Sequence, residues 1–107
     1  MKFDNQTKKI QQFQATEISF DSSSISSNTI TSTSHGLTTG DKVSYNKYNV
    51  SNTTVAGIQD NRIYYVIKVD DNTFKLADTN ANALAGTAIQ LTVGTGTQYF
   101  YHYPDTQ

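Results

Sequence analysis

The chain has 107 residues with eight basic and nine acidic side chains, a formal net charge of −1, so it carries no excess positive field to hold a nucleic-acid backbone by counterion release. It contains no cysteine, which excludes disulfides, thiol catalysis and Cys-ligated zinc. No window approaches the roughly 20 apolar residues of a membrane-spanning helix, and the lysines near the start precede no apolar run; the expectation is a soluble protein made without a cleaved signal, partnered by neither nucleic acid nor a membrane.

One domain of this length buries about 65% of the surface its unfolded chain exposes. Hydrophobic residues make up 36%, yet seven Tyr and five Phe are present, mainly within alternating runs, as a half-buried sheet needs and a disordered chain lacks. Gly, Asn and Asp punctuate the chain about every ten residues. The expected fold is all-β: a small single-domain β-barrel or sandwich of about six to seven mainly antiparallel strands with one short helical turn.

Residues 1–27 read as an N-terminal arm and linker, and residues 28–107 as the barrel domain. In "KKIQQFQ", Ile10 and Phe13 stand three apart and would share one face of a helix too short to persist alone. This is either an arm that orders against a neighbouring subunit, anchored by those two residues, or a frayed tail. "QATEISFD" reads as a strand with Ile18 and Phe20 on opposite faces unless a bulge intervenes, and "SSSISS" as a flexible linker.

Residues 31–45, "TSTSHGLTTGDKVSY", join two alternating runs through a polar turn. Leu37 is expected to cover the core, and Val43 and Tyr45 to point inward. His35 and Asp41 are assigned to bonding the turn rather than to catalysis. The following "NKYNVSNTT" presents Tyr48 and Val50 in a loop.

"RIYYVIKVDDNTFKLA" is a hairpin turning at Asp71 and Asn72, which tolerate tight turns without glycine. If those residues centre the turn, Val69 lies opposite Phe74 and Ile67 opposite Leu76. Ile63, Tyr65, Ile67 and Val69 would then face the core, with Tyr64, Val66, Lys68, Thr73 and Lys75 on the other side. Asp78 or Thr79 can cap a helical turn through Ala81, Ala83, Leu84 and Ala85, which Gly86 ends in the left-handed conformation. Ile89, Leu91 and Val93 alternate, "GTGT" bends the backbone, and "QYFYHY" forms a last strand with Tyr99, Tyr101 and Tyr103 on one side and Phe100 and His102 on the other; Pro104 stops it.

No phosphate-binding glycine loop, H-E-x-x-H or EF-hand loop is present. Asp70, Asp71 and Asp78 are explained as turn and cap residues rather than calcium ligands, and His35 and His102 are too isolated for a zinc site. No catalytic residue, metal or cofactor is expected.

"HGLTTGDKVSY", "VAGIQDNRIYYVIKVDDNTFKLA", "NALAGTAIQLT" and "GTGT", in that order over roughly residues 28–97, resemble a small β-domain repeated in structural proteins of tailed bacteriophages, conspicuously marine cyanophages. That domain is itself distantly similar to the first catalytic-cysteine half-domain of ubiquitin-activating enzymes, a small β-barrel that does not hold the reactive cysteine, so no activity is implied. The chain departs from the pattern in its longer "NKYNVSNTT" loop and in "DN" where "DG" often stands before the tyrosines. The resemblance implies a non-enzymatic virion structural protein, made in the host cytoplasm: a capsid decoration protein or a head–tail or tail accessory protein. Its partners would be other virion proteins, capsid or tail subunits, and further copies of itself. Candidate partner contacts are Ile10, Phe13, Tyr48, Val50, Tyr99 and Tyr101. The alternative is a carbohydrate- or receptor-binding module of a tail fibre or adhesin, using the tyrosines as stacking surfaces.

Overall fold

The computed structural model describes residues 16–102. Seven strands form one antiparallel sheet: β1 (Thr16–Phe20), β2 (Ile25–Ser26), β3 (Thr29–Thr31), β4 (Lys42–Asn46), β5 (Ile63–Asp70), β6 (Thr73–Ala77) and β7 (Gln98–His102), with a short helix α1 (Asn80–Ala85). Their order across the sheet is β1-β7-β4-β5-β6-β3-β2. The sheet curls into a half-barrel. The two edge strands β1 and β2 are neighbours in sequence, joined by a 3-10 turn at Ser22–Ser24 that Asp21 caps by accepting a hydrogen bond from the Ser23 N–H.

The concave side holds the core. Phe100 lies at its centre, with its ring 4.8 Å from Phe20, 5.6 Å from Tyr45 and 5.9 Å from Phe74. Ile18, Ile30, Leu37, Val43, Val55, Tyr64, Val66 and Leu76 complete the wall. The inward assignments of Leu37, Val43 and Tyr45 hold, and of the two sides of β7 it is the Phe100 side that faces the core. So does the helix: Thr79 is its N-cap, accepting from the Asn82 N–H at 3.0 Å, and Gly86 closes it at φ 79°.

Two expectations about the start of the chain are corrected. Thr16–Ser27 is not arm or linker: β1 pairs with β7 over all five residues, and Ile18, Phe20 and Ile25 lie in the core. Ile18 and Phe20 point the same way, as residues two apart in an unbulged strand must. The serine-rich run orders because Asp21 and Ser24 cap each other's backbone, a local device that composition does not reveal. Ile10, Phe13, Tyr103 and Pro104 lie outside the described residues.

The hairpin is corrected by one residue. Asp71 and Asn72 do centre the turn, and Asp70 pairs with Thr73, but a bulge between Lys68 and Asp70 makes Val69 an extra residue. Beyond it Lys68 faces Phe74 and Val66 faces Leu76. Tyr64 and Val66 are therefore fully buried, while Ile63 and Val69 are each 52% exposed and Tyr65 and Ile67 lie on the convex side. A single inserted residue moves every following side chain to the opposite face. Because β5 is apolar on both faces, its alternation could not choose between the two registers.

Candidate contact face

His35 sits beneath the 34–38 turn, buried against the edge of the Phe74 ring at 5.2 Å. Its Nδ1 accepts from the Leu37 N–H at 2.9 Å, and its Nε2 faces the carbonyl oxygens of Asp70 at 2.8 Å and Thr73 at 3.2 Å. An acceptor Nδ1 requires the proton to be on Nε2, so the imidazole is a neutral strut tying this turn to the β5–β6 turn. Asp41 accepts from the Thr38 N–H at 2.9 Å. Asp70 Oδ1 accepts from the Asn72 N–H and the Thr73 hydroxyl, both at 2.8 Å; the Thr73 bond first, then the Asn72 bond, holds this carboxylate below its ordinary pKa. An open cavity of about 320 Å³ lies over His35, rimmed by Ser34, Thr38, Lys68 and Asp71. The Lys68 ammonium there pairs with Asp71 at 3.2 Å. Each of these polar groups is committed to holding backbone or to its neighbour.

The loop between β4 and β5 is fastened in the same way but turned outward. Its base is Gln98, which occupies an inward position of β7 and is 1% exposed. The Gln98 amide donates to the carbonyls of Thr53 at 2.7 Å and Thr95 at 2.8 Å, and its oxygen accepts from the Tyr45 hydroxyl, which in turn accepts from the Val55 N–H at 2.9 Å. Burial raises the Tyr45 phenol above its ordinary pKa, so the hydroxyl remains a donor. Asn52 Nδ2 donates to the carbonyls of Lys47 and Thr97, each at 2.9 Å. The Lys47 N–H reaches Asp60 at 2.8 Å, and the Tyr48 N–H reaches Asn46 Oδ1 at 2.6 Å. Gly96, at φ 80°, passes so close that a Cβ there would overlap the Asn52 side-chain amide. Pattern reading missed this clamp. Its one legible signal was a glutamine at the inward phase of a strand, where an apolar residue is the rule.

What the clamp holds out is apolar. Tyr48 adopts φ 73° and is 66% exposed, and Val50 is 91% exposed. Positive φ costs a bulky L-residue about 1–3 kcal/mol and persists only where its surroundings over-determine it. The Tyr48 ring lies 4.8 Å from Tyr99, and Tyr99 lies parallel to Tyr101 at 5.9 Å. Three of the six candidate contacts thus come together as one row, with Val50 on the loop beside it. The register extends the surface across four strands. Tyr101 stands between Glu17 of β1 and Ser44 of β4, Ser44 opposes Ile63 of β5, and Tyr99 stands between Ser19 and Asn46.

Among the described residues no three His, Cys, Asp or Glu side chains converge as a metal site. Comparisons with family models, with curated proteins and with solved structures found no match for the chain.

Proposed function

We propose that this chain is a non-enzymatic structural protein of a bacteriophage virion, acting through protein–protein contacts as a capsid decoration protein or a head–tail or tail accessory protein. The observation that carries the contact role is the division of labour between polar and aromatic groups. His35, Asp41, Asp60, Asp70 and Gln98 are spent on backbone, whereas Tyr48, Val50, Ile63 and Tyr99 are held outward on one face. Exposed tyrosines on a rigid support supply contact area at small entropic cost. The virion setting is supported by the ordered motifs from "HGLTTGDKVSY" to "GTGT". Cryo-electron microscopy of purified particles carrying the protein tests the proposal: the expected result is a seven-stranded half-barrel on the capsid, neck or tail with its tyrosine face against a neighbouring subunit. Absence of the protein from particles, or a tyrosine face pointing into solvent, defeats it.

A further inference from the structure

We infer that His35 is a pH-sensitive latch on the 34–38 turn: when its Nδ1 takes up a proton, the Leu37 N–H loses its acceptor and the Gly36–Leu37 peptide turns toward the open cavity, while both ends of the turn stay fastened.

The hydrogen bonds admit one protonation state of the ring. Nδ1 accepts from the Leu37 N–H at 2.9 Å, and Nε2 donates toward the carbonyl oxygens of Asp70 and Thr73. In the imidazolium both nitrogens carry hydrogen. The Nε2 bonds survive that change and become charge-assisted. At Nδ1, however, two donors meet head-on in a buried place, where neither can be left without a partner. The Leu37 bond therefore stands while the imidazole is neutral and is lost as pH falls through the range in which histidine takes up its proton, around pH 6.5 in an unconstrained chain.

The charges facing the ring make the cation reachable without unfolding. The Asp70 carboxylate attracts the charged ring. Lys68 and Asp71 stand together on the cavity rim as an ion pair, and β3 brings only uncharged Ile30 and Thr31 to this end of β6.

Bonds on either side confine the release. Before the latch, the Ser32 N–H reaches the Asn72 carbonyl at 2.7 Å, the Ser34 N–H reaches the Asn72 side chain at 2.9 Å and the His35 N–H reaches the Asp71 carbonyl at 3.1 Å. Beyond it, Asp41 accepts from the Thr38 N–H and lies 3.6 Å from His102 Nε2. The second of the chain's two histidines thus gains an ion-pair partner in acid, tightening the far end as the first lets go. Between these anchors Gly36 supplies the freedom to rotate: its φ is 72°, and no atom lies within 4 Å of where a Cβ would stand. The cavity of about 320 Å³ opens at this residue, so the freed Leu37 N–H and the new Nδ1–H can both reach water.

The test is a pH series on the full chain from about pH 8 to about pH 4.5, above the range in which carboxylates discharge, reading imidazole nitrogen shifts and amide exchange together by NMR. At the alkaline end His35 should carry its proton on Nε2. As pH falls, protection of the Leu37 amide should drop about tenfold per unit down to the midpoint of the His35 ring and level off below it, the signature of one proton per opening. Protection at Ser32, Ser34 and Thr38 should change less than about threefold. His102→Gln should leave the Leu37 response in place. His35→Gln, whose amide can accept and donate but does not titrate, should abolish it; if that variant does not fold, the ring and the Leu37 amide of wild type and of His102→Gln decide the matter by themselves. A proton on Nδ1 at the alkaline end, a ring that titrates while Leu37 stays protected, or a Leu37 response that disappears with His102→Gln overturns the inference. So does a ring that stays neutral until the whole sheet opens, because His35 is then a fixed strut.

Discussion

The 34–38 turn and the 46–53 loop solve one construction problem with opposite outcomes. Both are held by side chains bonded to distant backbone, His35 to the β5–β6 turn in the first, Asn52 to the Thr97 carbonyl and Gln98 to the Thr53 carbonyl in the second. The first turns its apolar members, Leu37 and the His35 ring, into the core. The second turns Tyr48 and Val50 into solvent and accepts an unfavourable backbone angle to do so. A turn that only connects strands can hide its hydrophobic residues, as the first one does. A loop of comparable order that displays them is what the proposed contact role requires.

The largest effect that can break this contrast lies under the inner turn. Phe74 is fully buried and touches both His35 and Phe100. Phe74→Ala should cost about 3–5 kcal/mol in urea unfolding, whereas Val50→Ser should stay within about 0.5. Comparable costs would show that Val50 packs inside the fold and that the display loop does not exist.

Next comes the strut. His35→Ala leaves the Leu37 N–H without its acceptor and two carbonyls without their donor in a buried place, for a cost of about 2–3 kcal/mol. The register of the neighbouring hairpin is checked alongside it: Val66→Ala should cost about 1–3 kcal/mol and Ile67→Ala clearly less, since only Val66 faces the core. A larger loss at Ile67 would restore the unbulged register.

The glycines sharpen the outer half of the comparison. Gly86 and Gly96 share nearly the same φ, 79° and 80°, but a Cβ at Gly86 meets open space while one at Gly96 displaces Asn52. Gly86→Ala should cost about 1 kcal/mol, the conformational penalty alone. Gly96→Ala should cost more, and amide exchange should accelerate through residues 47–53 as the clamp opens. Equal costs with an unchanged loop would mean that Asn52 is not what fastens it.

The smallest effect concerns acid. Asp70 is depressed in the folded state by its bonds to Thr73 and Asn72. It therefore contributes stability at every pH above its unfolded pKa, and that contribution is lost as pH falls through the lower, folded value, on the acid side of about pH 4. Thermal melts of Asp70→Asn should show a shallower decline in this window than wild type. Parallel curves would mean that the Asp70 bonds do not distinguish folded from unfolded protein. Because the carboxylate is solvent-exposed, the difference should be slight.

The sequence by itself determined the features whose causes are local. Asp71-Asn72 marked a turn by residue type, and Asp70 fastens it by accepting from the Asn72 N–H and the Thr73 hydroxyl; Asp78 or Thr79 and Gly86 marked the ends of α1; and alternation put Val43 and Tyr45 inside, where the polar neighbours on their strand left one choice. Tertiary structure decided whatever was locally balanced. β5 offers an apolar set on each face, and only the bulge at Val69 and the fit of Tyr64 and Val66 against the core chose between them. Serine-rich composition said linker for residues 22–27, but Ile25 buries against the far edge of the sheet once β1 is paired. Tyr48 was legible as a loop residue, and Tyr99 and Tyr101 as neighbours on one face of a strand. That they form one row depends on Gln98 and Asn52 carrying a loop about 45 residues away in sequence onto β7, and such contacts leave no periodic trace in the chain.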